Sequence, residues 1–186
     1  MPVNDKRLID IIYPWRVRSG TFLIAAIILL AKPTWKSVVC GAAITLFGLV
    51  IRTWAAGHLR KEKELAVSGP YQYTRNPLYL GNFFLVAGIG AGACSWWVAG
   101  LLAAYFLTFY PLIIRKEVER MRELFPAKYE AYKKMVPLFF PTLKTRSEAK
   151  GPAFSWTLYR KNKEYRALAG VAGYWIIMIL KIVFVS

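Results

Sequence analysis

The chemically versatile side chains of this sequence concentrate in the loop from His58 to Gly81. Three tyrosines and one arginine stand close together there, just before the chain returns to an apolar stretch: Tyr71, Tyr73, Arg75 and Tyr79. Guanidinium groups bind carboxylates in a bidentate fashion, and aromatic rings attract cations. Composition alone nevertheless favours a plainer interpretation, in which the tyrosines form an aromatic belt at a membrane surface and Arg75 reaches toward water.

A glycine-rich run, Gly88-Ile89-Gly90-Ala91-Gly92, has the spacing of nucleotide-binding loops. Such a loop works only between a strand and a helix, and it needs an acidic residue about twenty positions later. Here the run lies inside an apolar stretch, and no acidic residue follows before Glu117. Because Gly88 and Gly92 are four residues apart, they instead predict close packing of two membrane helices.

Metal binding is not expected from this sequence. Its two cysteines, Cys40 and Cys94, and its single histidine, His58, lack the number and spacing of zinc ligands. We expect the cysteines to be free, buried thiols rather than a disulfide, and we expect His58 to lie at the membrane interface.

Long apolar runs define the elements that must position these side chains. The chain is 56% hydrophobic and only 19% charged, whereas soluble domains carry about 25% charged residues. Uncharged runs near twenty residues are typical of membrane-spanning helices. We therefore predict an all-α polytopic membrane protein with about five spans, at residues 21–31, 37–57, 78–94, 95–114 and 167–185.

The distribution of positive charge predicts the orientation. A net charge of +16 would suggest nucleic-acid binding in a soluble protein, but the apolar runs favour the excess of Lys and Arg on the cytoplasmic side of membrane proteins. With the N-terminus in the cytoplasm, all but four of the 26 Lys and Arg residues lie on that side or in its loops. We expect the bilayer, and no nucleic acid, as the partner.

The remaining segments complete a single membrane domain over residues 1–186. The strongly charged stretch Arg115–Lys134 carries a thread of apolar residues, which predicts a cytosolic amphipathic helix that is interrupted or restarted at Pro126. Residues 153–186 have an interfacial composition followed by the last span. Arg52 falls inside the second span, close enough to its end to reach water or a polar cavity.

The run from Gly69 to Gly81 reads Gly-Pro-Tyr-x-Tyr-x-Arg-Asn-Pro-x-Tyr-x-Gly. It resembles the signature G-P-Y-x-Y-x-R-H-P-x-Y-x-G of the isoprenylcysteine carboxyl methyltransferase family, and membrane phospholipid N-methyltransferases carry a related signature. Asn76 stands where the family has histidine. The resemblance extends over a motif-bearing core of about residues 52–141.

The other half of the family pattern has a similar counterpart further along the chain. The family has R-x-E-E-x-x-L, then F-G-x-x-Y-x-x-Y, then an apolar stretch bounded by prolines. This sequence has R-K-E-V-x-x-M from Arg115, F-P-x-x-Y-x-x-Y from Phe125, and the bounded stretch Pro137–Pro141. Val118 replaces the second glutamate of the family, and Pro126 replaces its glycine.

This resemblance implies an integral membrane enzyme that transfers a methyl group from S-adenosyl-L-methionine to a lipophilic acceptor entering from the bilayer. It implies an active site that faces the cytoplasm. The residues implied for cofactor binding are Leu65, Ala66, Gly69, Tyr71, Arg75, Asn76, Pro77, Tyr79 and Glu117, and those implied for catalysis are Arg115 and Glu117.

Each of these residues has an implied role. Leu65 and Ala66 would line the seat of the adenine ring. Arg75 would bind the cofactor's carboxylate, and Glu117 its ammonium or hydroxyl groups. Tyr71 and Tyr79 would pack beside the sulfonium through cation–π attraction. Arg115 would hold an anionic acceptor, although it could equally be a positively charged anchor at the end of the fourth span.

The identity of the acceptor group follows in part from Asn76. Asparagine does not titrate, so it cannot serve as a base. Methylation of a carboxylate needs no base, whereas methylation of an amine requires removal of a proton. We therefore expect a carboxylate, as in isoprenylcysteine, or a related isoprenoid or thiol group, rather than the ethanolamine of a phospholipid.

Two further classes stay open. Sterol reductases, which use NADPH, have a C-terminal region that resembles the first signature, but they are far longer than this chain. A non-catalytic membrane scaffold that kept the fold would tolerate the changes at Asn76 and Val118. The oligomeric state is left open.

Overall fold

The computed structural model of the protein describes Trp15 and residues 19–61, 63–142 and 152–185. Within these residues the regular structure is helical and contains no strand, which confirms the predicted all-α class. The helices are, in order, α1 (Ser19–Leu30), α2 (Trp35–Ala56), α3 (Pro77–Ala93), α4 (Trp96–Leu124), α5 (Pro126–Met135), α6 (Trp156–Lys161) and α7 (Tyr165–Val185).

Three of these helices, α2, α4 and α7, are long and apolar enough to cross a membrane. The protein is therefore an integral membrane protein, as predicted. Helices α1 and α3 are apolar but shorter, and α3 has 17 residues against the roughly 20 that a span needs. The count of five spans and the cytoplasmic N-terminus stay predictions, and residues 1–14 lie outside the described part of the chain.

Helix α4 joins a membrane segment and a charged segment into one rod of 29 residues, about 43 Å long. The amphipathic helix that we predicted over residues 115–134 is therefore divided. Its first part continues α4 as far as Leu124, and its second part is α5, which begins at Pro126. Proline is favourable at the first position of a helix, where no intrahelical N–H bond is lost, so the predicted restart at Pro126 is confirmed.

Helices α2 and α3 pack with their backbones in contact along a seam of glycines, Gly41 and Gly48 on α2 and Gly81 and Gly88 on α3. A Cβ atom added at Gly41 would lie 2.5 Å from the carbonyl oxygen of Gly88, and one at Gly48 would lie 2.7 Å from that of Gly81. The predicted packing role of the glycine-rich run is confirmed. This seam holds α3 rigidly beside α2, which fixes where α3 begins.

Helix α7 packs against the same pair of helices. Trp175 donates a hydrogen bond from Nε1 to the hydroxyl of Thr45 on α2, at 2.9 Å, and its ring lies against Gly92. A buried cluster including Ile27, Val98 and Met178 fills the space between α1, α4 and α7. The polar loop that follows α2 lies at one end of this helical bundle.

Candidate functional site

The two signature segments fold onto each other at this end of the bundle. The hydroxyl of Tyr132 donates to the backbone oxygen of Tyr71 at 2.6 Å, and Arg75 donates from Nη1 to the hydroxyl of Tyr129 at 2.9 Å. The guanidinium carbon of Arg75 also lies 5.7 Å from the centre of the Tyr129 ring. Because Tyr129 and Tyr132 are three residues apart on α5, they share one face of that helix and hold the first signature together.

The proline-bounded stretch 137–141 adds a second set of contacts, made to backbone groups. Arg75 donates its backbone N–H to the oxygen of Pro137 at 2.9 Å, and Asn76 donates from Nδ2 to the oxygen of Leu138 at 2.9 Å. The hydroxyl of Thr74 donates to the oxygen of Phe139 at 2.8 Å. Asn76, which is buried, therefore acts as a hydrogen-bond donor within the framework of the site.

Apolar packing explains one departure from the family pattern. Tyr129, Tyr132 and Val136 form a buried cluster at this end of the molecule, and partly buried apolar side chains pack against it: Leu65, Val67, Val118 and Met121. A second glutamate at position 118 would place a charge against this cluster. Val118 instead joins α4 to α5 and to the loop.

The loop itself turns at Gly69, which only glycine suits. Its φ of +60° is rarely adopted by other residues, and an added Cβ atom would lie 2.7 Å from the ring of His58. His58 is buried, and its Nδ1 donates to the backbone oxygen of Trp54 at 2.9 Å. The ring thus caps the end of α2 and supports the turn, while the position of His58 at the membrane interface stays a prediction.

A first cavity, of about 400 Å³, lies between this loop and α5, and we call it the loop cavity. Its walls are mostly apolar and include both residues predicted for the adenine seat: Leu65, Ala66, Val67, Met135 and Pro152, with Ser68, Glu64, His58, Lys128, Ala131 and Tyr132 completing the lining. The cavity therefore combines an apolar surface with a few polar groups, as ligand sites do.

A second cavity, of about 470 Å³, lies between the end of α4, α5 and the stretch 137–141, and we call it the arginine cavity. It is lined by Arg75, Arg115, Arg122, Lys133 and Glu119, with Ile114, Val118 and Leu138. Among the described residues, the buried Nε of Arg75 has no hydrogen-bond partner. A positively charged cavity with a free guanidinium N–H is suited to an anionic group.

The surroundings of the site strongly raise the pKa of the Tyr71 hydroxyl. Burial raises the pKa of its hydroxyl well above 10, and nearby Tyr132, Glu117, Tyr79 and Glu164 raise it further, in that order. Burial also raises the pKa of Tyr132, against the opposing effect of Arg75. Both phenols therefore stay neutral in the physiological range and can donate hydrogen bonds.

The structure places the predicted site residues in different parts of this region. The charge of Glu117 raises the pKa of the Tyr71 hydroxyl, but Glu117 itself is exposed and lines neither of the two cavities. Tyr79 is close to the same hydroxyl and contacts Tyr110 of α4 edge to face, with ring centres 5.9 Å apart. Arg75 and Arg115 share the arginine cavity, whereas Leu65 and Ala66 line the loop cavity. Gly69, Asn76 and Pro77 shape the backbone, with Pro77 fully buried at the start of α3.

Sequence reasoning singled out Arg52 but did not find its partners. Arg52 binds the carboxylate of Glu164 and the side-chain oxygen of Asn82. The position of Arg52 in an apolar helix was a signal that it needed a partner, because charges inside membrane helices are paired. Nothing in the sequence identified Glu164, which is 112 residues away.

The part of the chain that the structure describes contains no group of three or more His, Cys, Asp and Glu side chains placed to hold a metal ion. Cys40 and Cys94 are free thiols, but both side chains are exposed on the surface of the helical bundle, so the expectation that they are buried is wrong.

The two signature segments are thus joined beside two cavities at one end of an apolar helical bundle, and comparison with known proteins identifies the class as membrane methyltransferases. The phospholipid methyltransferase family matches residues 21–128. The chain belongs to this family, which is part of the isoprenylcysteine methyltransferase-like group of membrane methyltransferases, and this confirms the resemblance described above.

Two curated relatives are similar over most of the chain. The nickel-cobalt-cadmium resistance protein NccN of Alcaligenes xylosoxydans xylosoxydans is 36% identical over 145 residues, which cover 73% of this chain and 67% of NccN. The cobalt-zinc-cadmium resistance protein CzcN of Cupriavidus metallidurans is 32% identical over 155 residues, which cover 78% of this chain and 68% of CzcN. No solved structure matches the chain.

Proposed function

We propose that the protein is an integral membrane methyltransferase that uses S-adenosyl-L-methionine to methylate a lipophilic acceptor, at a site facing the cytoplasm. The acceptor group is a carboxylate, as in isoprenylcysteine, or a related isoprenoid or thiol group. The observation that carries the proposal is the joining of the two signature segments through Tyr71–Tyr132 and Arg75–Tyr129, because this contact brings all the implied cofactor residues to one end of the bundle.

The residues present fit separate parts of this cofactor, in the two cavities and beside them. The loop cavity, at about 400 Å³, is within the usual range of roughly 300–1,000 Å³ for small-molecule sites, and its Leu65 and Ala66 suit an adenine ring. The free Nε of Arg75 suits the carboxylate, and Glu117 suits the ammonium or hydroxyl groups. Tyr71 and Tyr79 offer ring faces for the sulfonium.

When bound, S-adenosylmethionine supplies a methyl group whose carbon–sulfur bond breaks, leaving its electron pair on sulfur, as an acceptor oxygen forms the new bond to carbon. The chain contributes alignment and exclusion of water. Arg115 would hold an anionic acceptor from the arginine cavity, and the neutral phenols of Tyr71 and Tyr132 would keep the surrounding hydrogen bonds fixed.

Asn76 supports a carboxylate acceptor over an amine. Its amide is occupied by the oxygen of Leu138 and carries no titratable proton. A carboxylate is already ionised at neutral pH, so its methylation requires no proton transfer from this position. An ethanolamine acceptor would require another base.

Two experiments test the proposal. The purified protein is heated in detergent with S-adenosylhomocysteine, with NADPH, or with neither. Stabilisation by the first ligand supports the methyltransferase, stabilisation by NADPH instead supports a reductase, and stabilisation by neither supports a non-catalytic scaffold. Membranes incubated with radiolabelled S-adenosylmethionine should then yield a labelled lipid extract. A base-labile label identifies an ester, whereas a stable label on ethanolamine lipids contradicts the carboxylate acceptor.

The names of the two relatives favour a physiological context for this activity. NccN and CzcN are both named for resistance to cobalt and cadmium. We propose that methylation by this protein contributes to the metal tolerance of the cell that contains it. Cells that carry only Glu117→Gln protein should then grow as poorly on cobalt as cells without the protein, while Arg120→Ala cells grow normally. Full growth of the Glu117→Gln cells would separate metal tolerance from methyl transfer.

A further inference from the structure

A buried ion pair lies at the end of the bundle that carries the signature segments. Arg52 of α2 binds the carboxylate of Glu164 through Nε and Nη2, and its Nη1 donates to the side-chain oxygen of Asn82 on α3. The two charged side chains are only 15% and 9% exposed. Burying an ion costs several kcal/mol, which attraction repays only in good geometry, so a buried pair is weak evidence of a stabilising role.

Other contacts already attach the segment that carries Glu164 to the end of α2. Asn162 donates from Nδ2 to the backbone oxygens of Ala56 and Leu59, both at 2.9 Å. Ser155 donates its backbone N–H to the oxygen of Gly57 at 3.0 Å, and the ring of Phe154 lies directly against that glycine. Docking of this segment therefore does not depend on the ion pair alone.

The ion pair lies against the end of the first signature segment, because a Cβ atom added at Gly81 would lie 2.5 Å from Cγ of Arg52, and Asn82 follows Tyr79 by about one turn of α3. The charge of Glu164 also raises the pKa of the Tyr71 hydroxyl, with the smallest effect of the neighbouring groups. Arg52 and Asn82 fall within the residues that match the family, but Glu164 falls outside residues 21–128. The C-terminal part of the chain thus adds a charged residue to a site that the family signatures alone do not include.

We propose that the Arg52–Glu164 ion pair, held in place by Asn82, balances the charge at the methyl-donor site and so sets how strongly the site binds a sulfonium cation relative to the neutral thioether product. The inference rests on the proposed function, because it assumes that S-adenosylmethionine binds beside Tyr71. Arg52 and Glu164 are, in this view, specificity-determining residues and not groups that react.

Neutralising one member of the ion pair or the other should change the affinity for a sulfonium in opposite directions. Glu164→Gln leaves the Arg52 cation uncompensated, which repels a sulfonium. Arg52→Gln leaves the Glu164 anion uncompensated, which attracts it. S-adenosylhomocysteine has the same adenosine and amino-acid groups but no charge on sulfur, so the ratio of the two dissociation constants isolates the electrostatic effect from any general damage to the site.

The experiment measures dissociation constants of S-adenosylmethionine and S-adenosylhomocysteine for the full-length protein in nanodiscs, without acceptor. We expect Glu164→Gln to raise the ratio Kd(S-adenosylmethionine)/Kd(S-adenosylhomocysteine) about tenfold and Arg52→Gln to lower it by a similar factor. The double variant R52Q/E164Q should return the ratio to that of the wild type. Asn162→Ala, which affects docking alone, should lower thermal stability and leave the ratio unchanged.

One additional variant covers the case in which a single neutralised partner prevents folding. Asn82→Asp keeps both members of the ion pair and adds a negative charge beside them, so it should lower the ratio in the same direction as Arg52→Gln. Equal changes in both dissociation constants for every folded variant would show a structural brace and overturn the inference. A wild-type protein that binds neither ligand would overturn the proposed function instead.

Discussion

The body of helix α3 and its first residues are held in place by different kinds of contact. Along its length, α3 contacts α2 through glycines whose backbones touch, with no room for a side chain between Gly41 and Gly88. At its beginning, the chain is held by hydrogen bonds from polar side chains, such as Asn76 and Thr74, to backbone oxygens, and the arginine cavity lies beside these contacts.

The difference shows how a small membrane protein combines rigidity with a polar site. In lipid there is little hydrophobic drive between helices, so close backbone packing supplies the rigidity. The site needs cavities and charges, which cannot be packed in that way, and its geometry depends instead on a few directional bonds. The glycine seam should therefore respond to changes of volume, and the site to changes of single polar atoms.

The largest effect is expected at the seam. Gly88→Leu would place a side chain where a Cβ atom alone already lies 2.6 Å from the backbone oxygen of Gly41. Overpacking of this kind costs about 3 kcal/mol or more, so little folded protein should be recovered. Gly100→Leu is the matched control, because the space beside Gly100 is empty. Comparable melting temperatures for the two variants in detergent would contradict the seam.

A large effect on ligand binding is expected from the charged residues of the site. Arg75→Ala and Glu117→Gln should each weaken binding of S-adenosylhomocysteine by roughly 10- to 100-fold, since hydrogen bonds to charged groups contribute about 1.5–3 kcal/mol. Arg120→Ala is the control, because Arg120 is exposed and pairs with Glu123 at 3.9 Å. Equal, minor shifts in ligand-induced stabilisation for all three variants would remove the site assignment.

A smaller effect is expected from the bond that joins the two signature segments. Tyr132→Phe removes the hydroxyl that donates to the buried backbone oxygen of Tyr71, leaving that oxygen without this partner. The expected loss is about 1–3 kcal/mol of stability. Tyr159→Phe removes a hydroxyl from a partly exposed position and should change the melting temperature little. If the two variants melt alike, the contact does not hold the segments together.

The smallest effect is expected at Asn76. Asn76→His restores the family residue and retains a donor for the oxygen of Leu138, so stability and methyl transfer should change little. Asn76→Ala removes the donor and should cost about 1 kcal/mol. Melting temperatures of the two variants provide the measurement. A histidine variant with strongly increased activity toward an amine acceptor would show that the asparagine has changed the chemistry of the site.

Much of the helical frame could be predicted from the sequence. Apolar runs located α2, α3 and α7 to within about two residues, because long uncharged stretches have no alternative structure in lipid. The fourth span was placed correctly at its start, but α4 extends ten residues beyond the predicted end at Ile114. Its charged continuation contains good helix formers, and the apolar side chains of Val118 and Met121 pack on α5.

The site could be predicted only where a local pattern carried the information. The signatures pointed to Tyr71, Arg75 and Glu117 as candidates, since their spacing is recognisable in the sequence, and the structure joins the first two to Tyr132 and Tyr129. The partner of Arg52 could not be found, because a contact between residues 112 positions apart leaves no periodicity to detect. Burial of His58 was missed for a similar reason, since the packing of Phe154 against it depends on how the C-terminal segment docks.

Helix α4 connects the apolar span to the candidate site residues near its C-terminal end. Arg115 and Glu117 lie on the same continuous helix as the apolar span, about one and two turns beyond Pro111, which has no N–H for a backbone hydrogen bond within the helix. A helix in a bilayer of unmatched thickness tilts or bends. Any such tilt displaces these two side chains relative to the loop that follows α2, so the lipid composition of the host membrane becomes a determinant of the enzyme's alignment.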